Sequence, residues 1–409
     1  MENEDLIPHL FRTEFRKITA VLCKLFGIAH LEIAEDVAGE TFLAALETWP
    51  YKGVPEQPVA WLYAVAKNKA KNQITRNVVF AGKVTAAIKS GPAIEPEVDI
   101  DLSEQNITDS QLKMLFAICH PAISMEAQIG LALRVLCGFG IDEIASALLT
   151  GRETINKRLH RAKEKLRQEK ISIEFPGKKE INKRMDAVLT TLYLLFSEGY
   201  YSESNDVILR EDLCHEAMRL TCLLLENVDT TQPKVYALLS LMCFHASRFA
   251  SRKNEQGELI LYQDQDEARW DQELITKGAY YLNLSAQGAE ITKYHLEAAI
   301  AYWHTVKEDT QEKWENILQL FNQLLQLEYS PVAALNRTFA LSKANGKAAA
   351  ITEAEKLQLT DNHFYFMLLG ELYAGTHDEK AQGYLRMALA MARTAGDRLF
   401  IQKKLEGLG

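Results

Sequence analysis

The scarcity of helix breakers constrains this chain most. Among 409 residues only 10 are Pro and 21 are Gly. Apolar side chains recur at helical spacing almost throughout, and no convincing run of the period-two alternation of strands is present. This pattern predicts an all-α protein. At ordinary domain sizes its length allows two to four domains, with ample chain to bury real cores.

The few breakers mark the organisation. Residues 1–80 read as a first helical block, with Leu6, Leu10, Ile18, Val21, Leu22, Leu25 and Phe26 on its buried faces. A second helix is expected over Glu32–Trp49, with Val37, Phe42, Leu43 and Leu46 in the core. Pro50, Gly53, Pro55 and Pro58 make Tyr51–Pro58 a loop, and Trp61–Asn77 forms a third helix. Residues 81–108 carry Gly91, Pro92 and Pro96, then Glu95, Glu97, Asp99, Asp101 and Glu104 with no basic residue after Lys89. They read as a flexible acidic linker. A compact helical block follows over 109–172. After the short Ser172–Lys179 linker, residues 180–409 read as helix after helix.

Charge must be counted by segment. The net charge of -9 argues at first against nucleic acid as a partner. Yet residues 1–180 are nearly balanced, and most of the excess acid lies beyond them. Within Arg152–Lys170, eight basic residues face only Glu153, Glu164 and Glu169. A basic helix therefore sits inside an acidic protein.

That helix belongs to the sharpest local pattern. Ile141, Ile144, Ala145 and Leu148 give one apolar stripe, small Ala145 suits a tight crossing, and Thr150-Gly151 supplies the turn, where Gly tolerates positive φ. A second helix over Arg152–Gln168 turns Ile155, Leu159, Ala162 and Leu166 inward. Two short helices, a Gly turn and a basic second helix make a helix-turn-helix, whose second helix enters the major groove. Arg152, Glu153, Thr154 and Lys157 at its start suit base edges, Arg pairing with guanine and Glu accepting from cytosine. Arg158, Arg161 and Lys165 suit phosphates. A solvated basic helix is the plainer alternative.

Two N-terminal helices add chemistry. Asp36 and Glu40 are four apart and share a face, fitting either a basic partner or solvent. In the Pro58–Arg76 segment, Trp61 and Tyr63 precede Lys67, Lys69, Lys71 and Arg76, interleaved with Asn68, Asn72 and Gln73. Aromatics beside cations and amides suit an unstacked single strand; a core Trp with solvated lysines is the alternative.

In order, these segments resemble bacterial sigma factors of the extracytoplasmic-function group. Ala34-Glu-Asp-Val-Ala-Gly-Glu-Thr-Phe42 is similar to their polymerase-binding helix. Pro58-Val-Ala-Trp-Leu62 with Ala66-Lys-Asn68 is similar to their −10 reading helix. Gly140-Ile-Asp-Glu-Ile-Ala145 through Arg161-Ala-Lys-Glu-Lys-Leu166 resembles their −35 helix-turn-helix. Leu115–Ser124, Leu192–Tyr200 and Tyr262–Trp270 resemble a subgroup with a long C-terminal helical extension. The resemblance implies a non-enzymatic, cytoplasmic factor that brings core RNA polymerase to promoter DNA and starts transcription. It implies that Asp36, Glu40, Phe42 and Leu43 meet polymerase, and that Trp61, Lys67, Asn68, Lys71, Asn72 and Arg76 lie along the −10 strand, with the Tyr51–Pro58 loop near a flipped base. It implies that Arg152, Glu153, Thr154, Lys157, Arg158 and Arg161 contact the −35 duplex, while the acidic linker threads the polymerase. Gly39 stands where these factors usually carry Gln.

In the C-terminal region, Phe366, Leu369, Gly370, Tyr373, Ala381, Leu385 and Ala388 fit a tetratricopeptide-like unit. Val332, Leu335, Asn336, Phe339 and Ala348 give a weaker copy upstream, after a helix over Lys313–Leu327. Such stacked pairs bind proteins or peptides, so a regulatory protein or ligand is the expected partner there. Glu198, Asp264, Asp266 and His295 are candidates for a polar pocket. Neither a catalytic motif nor a cofactor box is evident, and the six cysteines show neither disulfide nor zinc spacing. The apolar runs are too short for a membrane span, and the acidic N-terminus is not a secretory signal. A stand-alone helix-turn-helix regulator with a helical ligand- or protein-sensing domain is the alternative function.

Overall fold

The structure, a computed structural model, describes residues 3–86, 100–148, 150–200, 211–252, 260, 262–392 and 395–408. Its long elements are all α-helices, and no strand occurs among the described residues. The chain divides into two compact units, residues 1–206 with 226–230, and residues 207–225 with 231–409.

The first unit contains α1 (Asn3–Phe26), α2 (Leu31–Lys52), α3 (Pro58–Ala86), α4 (Glu104–Ile118), α5 (Met125–Val135), α6 (Ile141–Ala147), α7 (Arg152–Gln168) and α8 (Lys178–Tyr200). Ile18, Leu22, Leu31, Ala34, Phe42, Leu62 and Ala66 form the core under the first three helices. Each large aliphatic side chain there contributes about 1.5–3 kcal/mol by leaving water. Helix α2 continues through Pro50 and ends at Gly53, whose φ of 83° carries the chain out of the helix. Tyr51 and Lys52 are therefore helical, and the connection to α3 is shorter than Tyr51–Pro58. Pro58 opens α3, where its missing N–H costs nothing.

Helix α3 runs to Ala86, so the first six residues of the expected linker are helical. At its other end, Ser103 caps α4 by accepting from the Asn106 N–H. Asp101 in turn accepts from the Ser103 N–H at 2.8 Å. Asp101 and Glu104 thus belong to the start of a helix, while Glu95, Glu97 and Asp99 lie outside the described residues.

Helices α5, α6 and α7 pack through the apolar residues expected from the pattern. Ile144, Ile155, Leu159, Ala162 and Leu166 are all buried. The close-approach position is Gly130 on α5, where a Cβ would sit 3.3 Å from Leu159 and 3.7 Å from Ile144. Gly151 differs from expectation. Its φ of -77° and ψ of 145° are extended, and it is the N-cap of α7 rather than a left-handed turn residue. The extended N-cap conformation is open to any residue.

The two halves of this unit also touch. Lys24 on α1 reaches Asp109 on α4 at 2.9 Å and Asn106 at 2.8 Å. Arg16 donates to the Cys137 carbonyl at 2.9 Å. Lys163 on α7 lies 3.6 Å from Glu32 and 3.7 Å from Glu35 on α2, and Arg167 lies 3.3 Å from Glu32.

The second unit contains α9 (Glu211–Glu226), α10 (Pro233–Ala246), α11 (Gln272–Ser285), α12 (Lys293–Trp303), α13 (Gln311–Leu327), α14 (Pro331–Asn345), α15 (Lys347–Leu357), α16 (His363–Tyr373), α17 (Asp378–Met391) and α18 (Ala395–Glu406). Side chains of Asp271, Thr310, Ser330 and Asn362 cap α11, α13, α14 and α16, contributing about 1 kcal/mol each. On α16 and α17, Phe366, Leu369, Gly370, Tyr373, Ala381, Leu385 and Ala388 are all buried. The upstream copy keeps only part of its register. Leu335 is buried and Phe339 half-buried, but Val332, Asn336 and Ala348 are exposed. The inward face of α14 is instead made by Ala333, Ala334, Leu335, Thr338, Ala340 and Ala344.

Candidate nucleic-acid and partner interfaces

Helix α2 presents one exposed stripe. Asp36, Glu40, Leu43 and Glu47 follow each other at spacings of four, three and four and are all solvent-facing, with Leu46 beside them. Leu43 is 52% and Leu46 54% exposed, so both leave the core assigned to them from sequence. Phe42 does the opposite. It is buried at 3% exposure and packs edge-on against Phe11 with ring centroids 5.1 Å apart. It supports the stripe from behind and offers no partner surface. Gly39 lies on α2 with open space where a Cβ would be. Glu40 is paired with Lys69 of α3 at 3.0 Å. Exposed pairs of this kind are worth about 0–1 kcal/mol, so a partner can displace it.

Helix α3 divides its candidate residues. Asn68, Lys71, Asn72 and Arg76 are exposed. Lys67 is half-buried, and so is Trp61, whose ring meets buried Trp49 at 5.4 Å. Tyr63 donates to Glu14 at 2.6 Å; burial and the carboxylate both push its phenol above the ordinary range. Tyr63 is therefore a core-facing group. Tyr51, 89% exposed at the end of α2, is the aromatic that projects instead.

Helix α7 is the most open of the three. Arg152, Glu153, Thr154, Asn156, Lys157, His160 and Arg161 are exposed and Arg158 half-buried. Lys157 pairs with Glu153 at 2.6 Å, and Arg152 with Asp142 of α6 at 3.5 Å. Both pairs are highly exposed and are weak in water. Ser124, Thr154, Lys157, Arg158, Arg161 and Lys165 line an open groove of about 470 Å³ between α7 and the start of α5. Lys157, Arg158, Arg161 and Lys165 bring four cations to this one groove, which suits an anionic ligand. Asn156 is missing from the sequence-based residue set. Its place three and four residues after Glu153 and Arg152 puts it on the same helical face, and that spacing was the signal for it.

Two of the C-terminal candidates, His295 and Asp266, make local hydrogen bonds that shape the backbone. His295 accepts from the Thr292 N–H through Nδ1 at 3.1 Å, and its Nε2 faces the Ser285 carbonyl at 3.3 Å. Asp266 caps a short 3-10 turn through the Ala268 N–H at 3.0 Å. Asp264 is exposed, while Glu198 belongs to the other unit. In the Tyr262–Trp270 segment, Tyr262 stacks on Trp270 at 6.2 Å and accepts from buried Lys313 at 3.2 Å. Burial lowers the Lys313 pKa and drives His304 down to about 3. Burial also pushes the thiols of Cys119 and Cys243 up to about 12, leaving them as apolar packing groups. Among the described residues, no cluster of three or more His, Cys, Asp or Glu could hold a metal. No helix among the described residues is long and apolar enough to cross a membrane.

Residues 10–78, which include α2's exposed stripe and the polar face of α3, match the Sigma-70 region 2 family. The N-terminal helices are thus a domain of the sigma-factor class, whose members act in transcription initiation without catalysing covalent chemistry. Residues 184–286 match a family of unknown function, DUF6596. Uncharacterized protein R00370 of Rhizobium meliloti (strain 1021) is 32% identical over 393 residues, covering 93% of this chain and 90% of that protein. The chain belongs to the same family as this rhizobial relative. No solved structure matches it.

Proposed function

We propose that the chain is a promoter-directing sigma factor of the extracytoplasmic-function type. In this reading Asp36, Glu40 and Leu43 bind core RNA polymerase. Trp61, Lys67, Asn68, Lys71, Asn72 and Arg76 track the opened −10 strand, Trp61 through its exposed edge. Arg152, Glu153, Thr154 and Lys157 read the −35 duplex, with Asn156 added to them. Arg158 and Arg161 hold its phosphates. The second unit is a tetratricopeptide-like array that binds a regulatory protein or ligand, and the chain acts in the cytoplasm.

One observation carries the reading. The segment that matches Sigma-70 region 2 exposes an acidic and apolar stripe that its own fold leaves uncovered. Leu43 and Leu46 form a small apolar spot rimmed by the carboxylates of Asp36, Glu40 and Glu47, the make-up of a partner-binding surface. The test is titration of labelled full-length chain with core polymerase. Asp36→Lys with Glu40→Lys is expected to abolish binding, while Glu164→Gln leaves it intact. Equal binding by both variants removes the assignment.

A further inference from the structure

The helices beyond α11 make an array with two unlike edges. Residues after 286 lie outside both family matches. Helices α12 to α18 alternate in direction, as helices joined by short turns do. The starts of α12, α14, α16 and α18 therefore share one edge with the ends of α13 and α15. At that edge Lys293 meets Glu328 at 3.0 Å, and His363 lies 3.6 Å from Asp397. At the other edge Asp309 meets Lys343 at 3.1 Å, and Glu371 meets Lys404 at 3.0 Å.

Side chains set the edges apart. Ile291, Val332, Phe364 and Leu399 recur once per helix start, at α12, α14, α16 and α18, while Leu327 and Tyr329 flank the turn between α13 and α14. All six are 47–63% exposed. Among the described residues the other edge exposes one large apolar side chain, Tyr302, at 37%. The inward faces are already filled, by Trp314, Ile317 and Phe321 in one cluster and by Phe366, Leu369 and Leu385 in the next. The exposed row thus adds nothing to the core. A contiguous apolar patch with a polar rim is the make-up of an interaction surface.

The rim states the chemistry of the partner. Glu290, Glu328 and Asp361 stand exposed among the apolar groups. The Ser330 and Asn362 side chains already accept from amides at the starts of α14 and α16, so the edge does not call for an anion. No strand among the described residues offers its backbone to an extended peptide, which leaves side chains to make the contact. Packed helices lie about 8–10 Å apart, so a row over four helix starts runs roughly 30 Å, the length of a helix of about 20 residues. We infer that this edge is a docking surface for an amphipathic helix of a partner protein, apolar on one face and basic along its flanks. The inference rests on reading the second unit as a partner-binding array, and it assigns the face and the partner's chemistry.

The probe is a fluorescein-labelled Leu/Lys peptide of about 20 residues with helical periodicity, titrated with the full-length chain and read by anisotropy. The wild type is expected to bind it, and to leave a peptide with Glu in place of Lys unbound. Tyr329→Ser with Val332→Ser and Phe364→Ser should weaken binding at least about tenfold. These side chains are exposed, so circular dichroism should show unchanged helix content. Glu290→Gln with Asp361→Asn should weaken binding less and flatten its salt dependence, because salt screens exposed charges. No binding by the wild type, equal binding of the Glu peptide, or binding that survives the triple variant overturns the docking edge. If the loss follows Asn336→Ala with Lys343→Ala instead, further along α14, the array reading stands and the edge falls. If it follows Leu43→Ser with Leu46→Ser, the probe sits on α2 and the edge falls. If no substitution in the second unit alters binding, the array reading fails with it. Sedimentation of the wild type and the triple variant completes the test. Self-association that only the wild type shows makes the occupant a second copy and overturns the partner helix.

Discussion

Helices α3 and α7 both carry rows of basic residues, yet they hold them differently. In α7 the stripe Ile155, Leu159, Ala162 and Leu166 accounts for the burial, so the residues proposed to read bases stand clear of the core. In α3 the inward stripe is Leu62, Ala66 and Ala70, and the aromatics beside it are drawn in. Trp61 leans on Trp49, and Tyr63 is tied to Glu14. Composition marks both helices as nucleic-acid candidates, but the width of the apolar stripe decides which side chains stay outside. A narrow stripe of small residues leaves room for neighbouring rings to pack.

The comparison can be broken or sharpened by substitution. The largest effect is expected at Trp49→Ala, which removes the buried ring behind Trp61. It should cost about 3–5 kcal/mol of stability, read as a drop in thermal midpoint without any nucleic acid. A variant that melts like the wild type would break the packed account of α3. On α7 the opposite is expected. Arg161→Ala should change stability by no more than about 0.5 kcal/mol, yet weaken duplex binding at all sequences. The slope of log affinity against log salt should fall by about 0.9 for each phosphate that is no longer neutralised, as measured by anisotropy titrations over a range of salt. Glu153→Ala should act on sequence rather than on affinity in general, costing about 1–3 kcal/mol of discrimination at one −35 position. Binding to a set of single-base promoter variants reads this; equal loss at every sequence would remove Glu153 from the reading set. The smallest effect is at Gly39→Ala. The position is helical and has space for a Cβ, so the substitution should stabilise the unit by about 1 kcal/mol, read as a raised urea midpoint.

Much of this was legible in the chain itself. The inward residues of α7 and the buried set on α16 and α17 follow from periodicity alone, because a helix with one wet face must repeat its apolar positions. Phe42 was not legible as core against Leu43 as surface. They are consecutive residues of similar hydropathy, and only the packing of Phe11 against α2 separates them. Gly151 shows a different limit, since a glycine in a short connection fits both a positive-φ turn and an N-cap. The docking of α7 on α2 joins residues more than 120 apart in sequence, and no local pattern encodes such a meeting. The Tyr262–Trp270 segment holds Asp264 and Asp266, two of the four polar-pocket candidates. Its inward groups instead form a buried knot with Lys313, because Tyr and Trp bring polar tips with apolar bodies.

The central claim is that the exposed faces of α2, α3 and α7 together start transcription at chosen promoters. Run-off transcription with core RNA polymerase, using promoters from the protein's own genome, tests it most directly. The account predicts discrete transcripts that require the full-length chain and disappear with Asp36→Lys and Glu40→Lys. Transcription no greater than that of core polymerase alone, at every promoter tried, would contradict it.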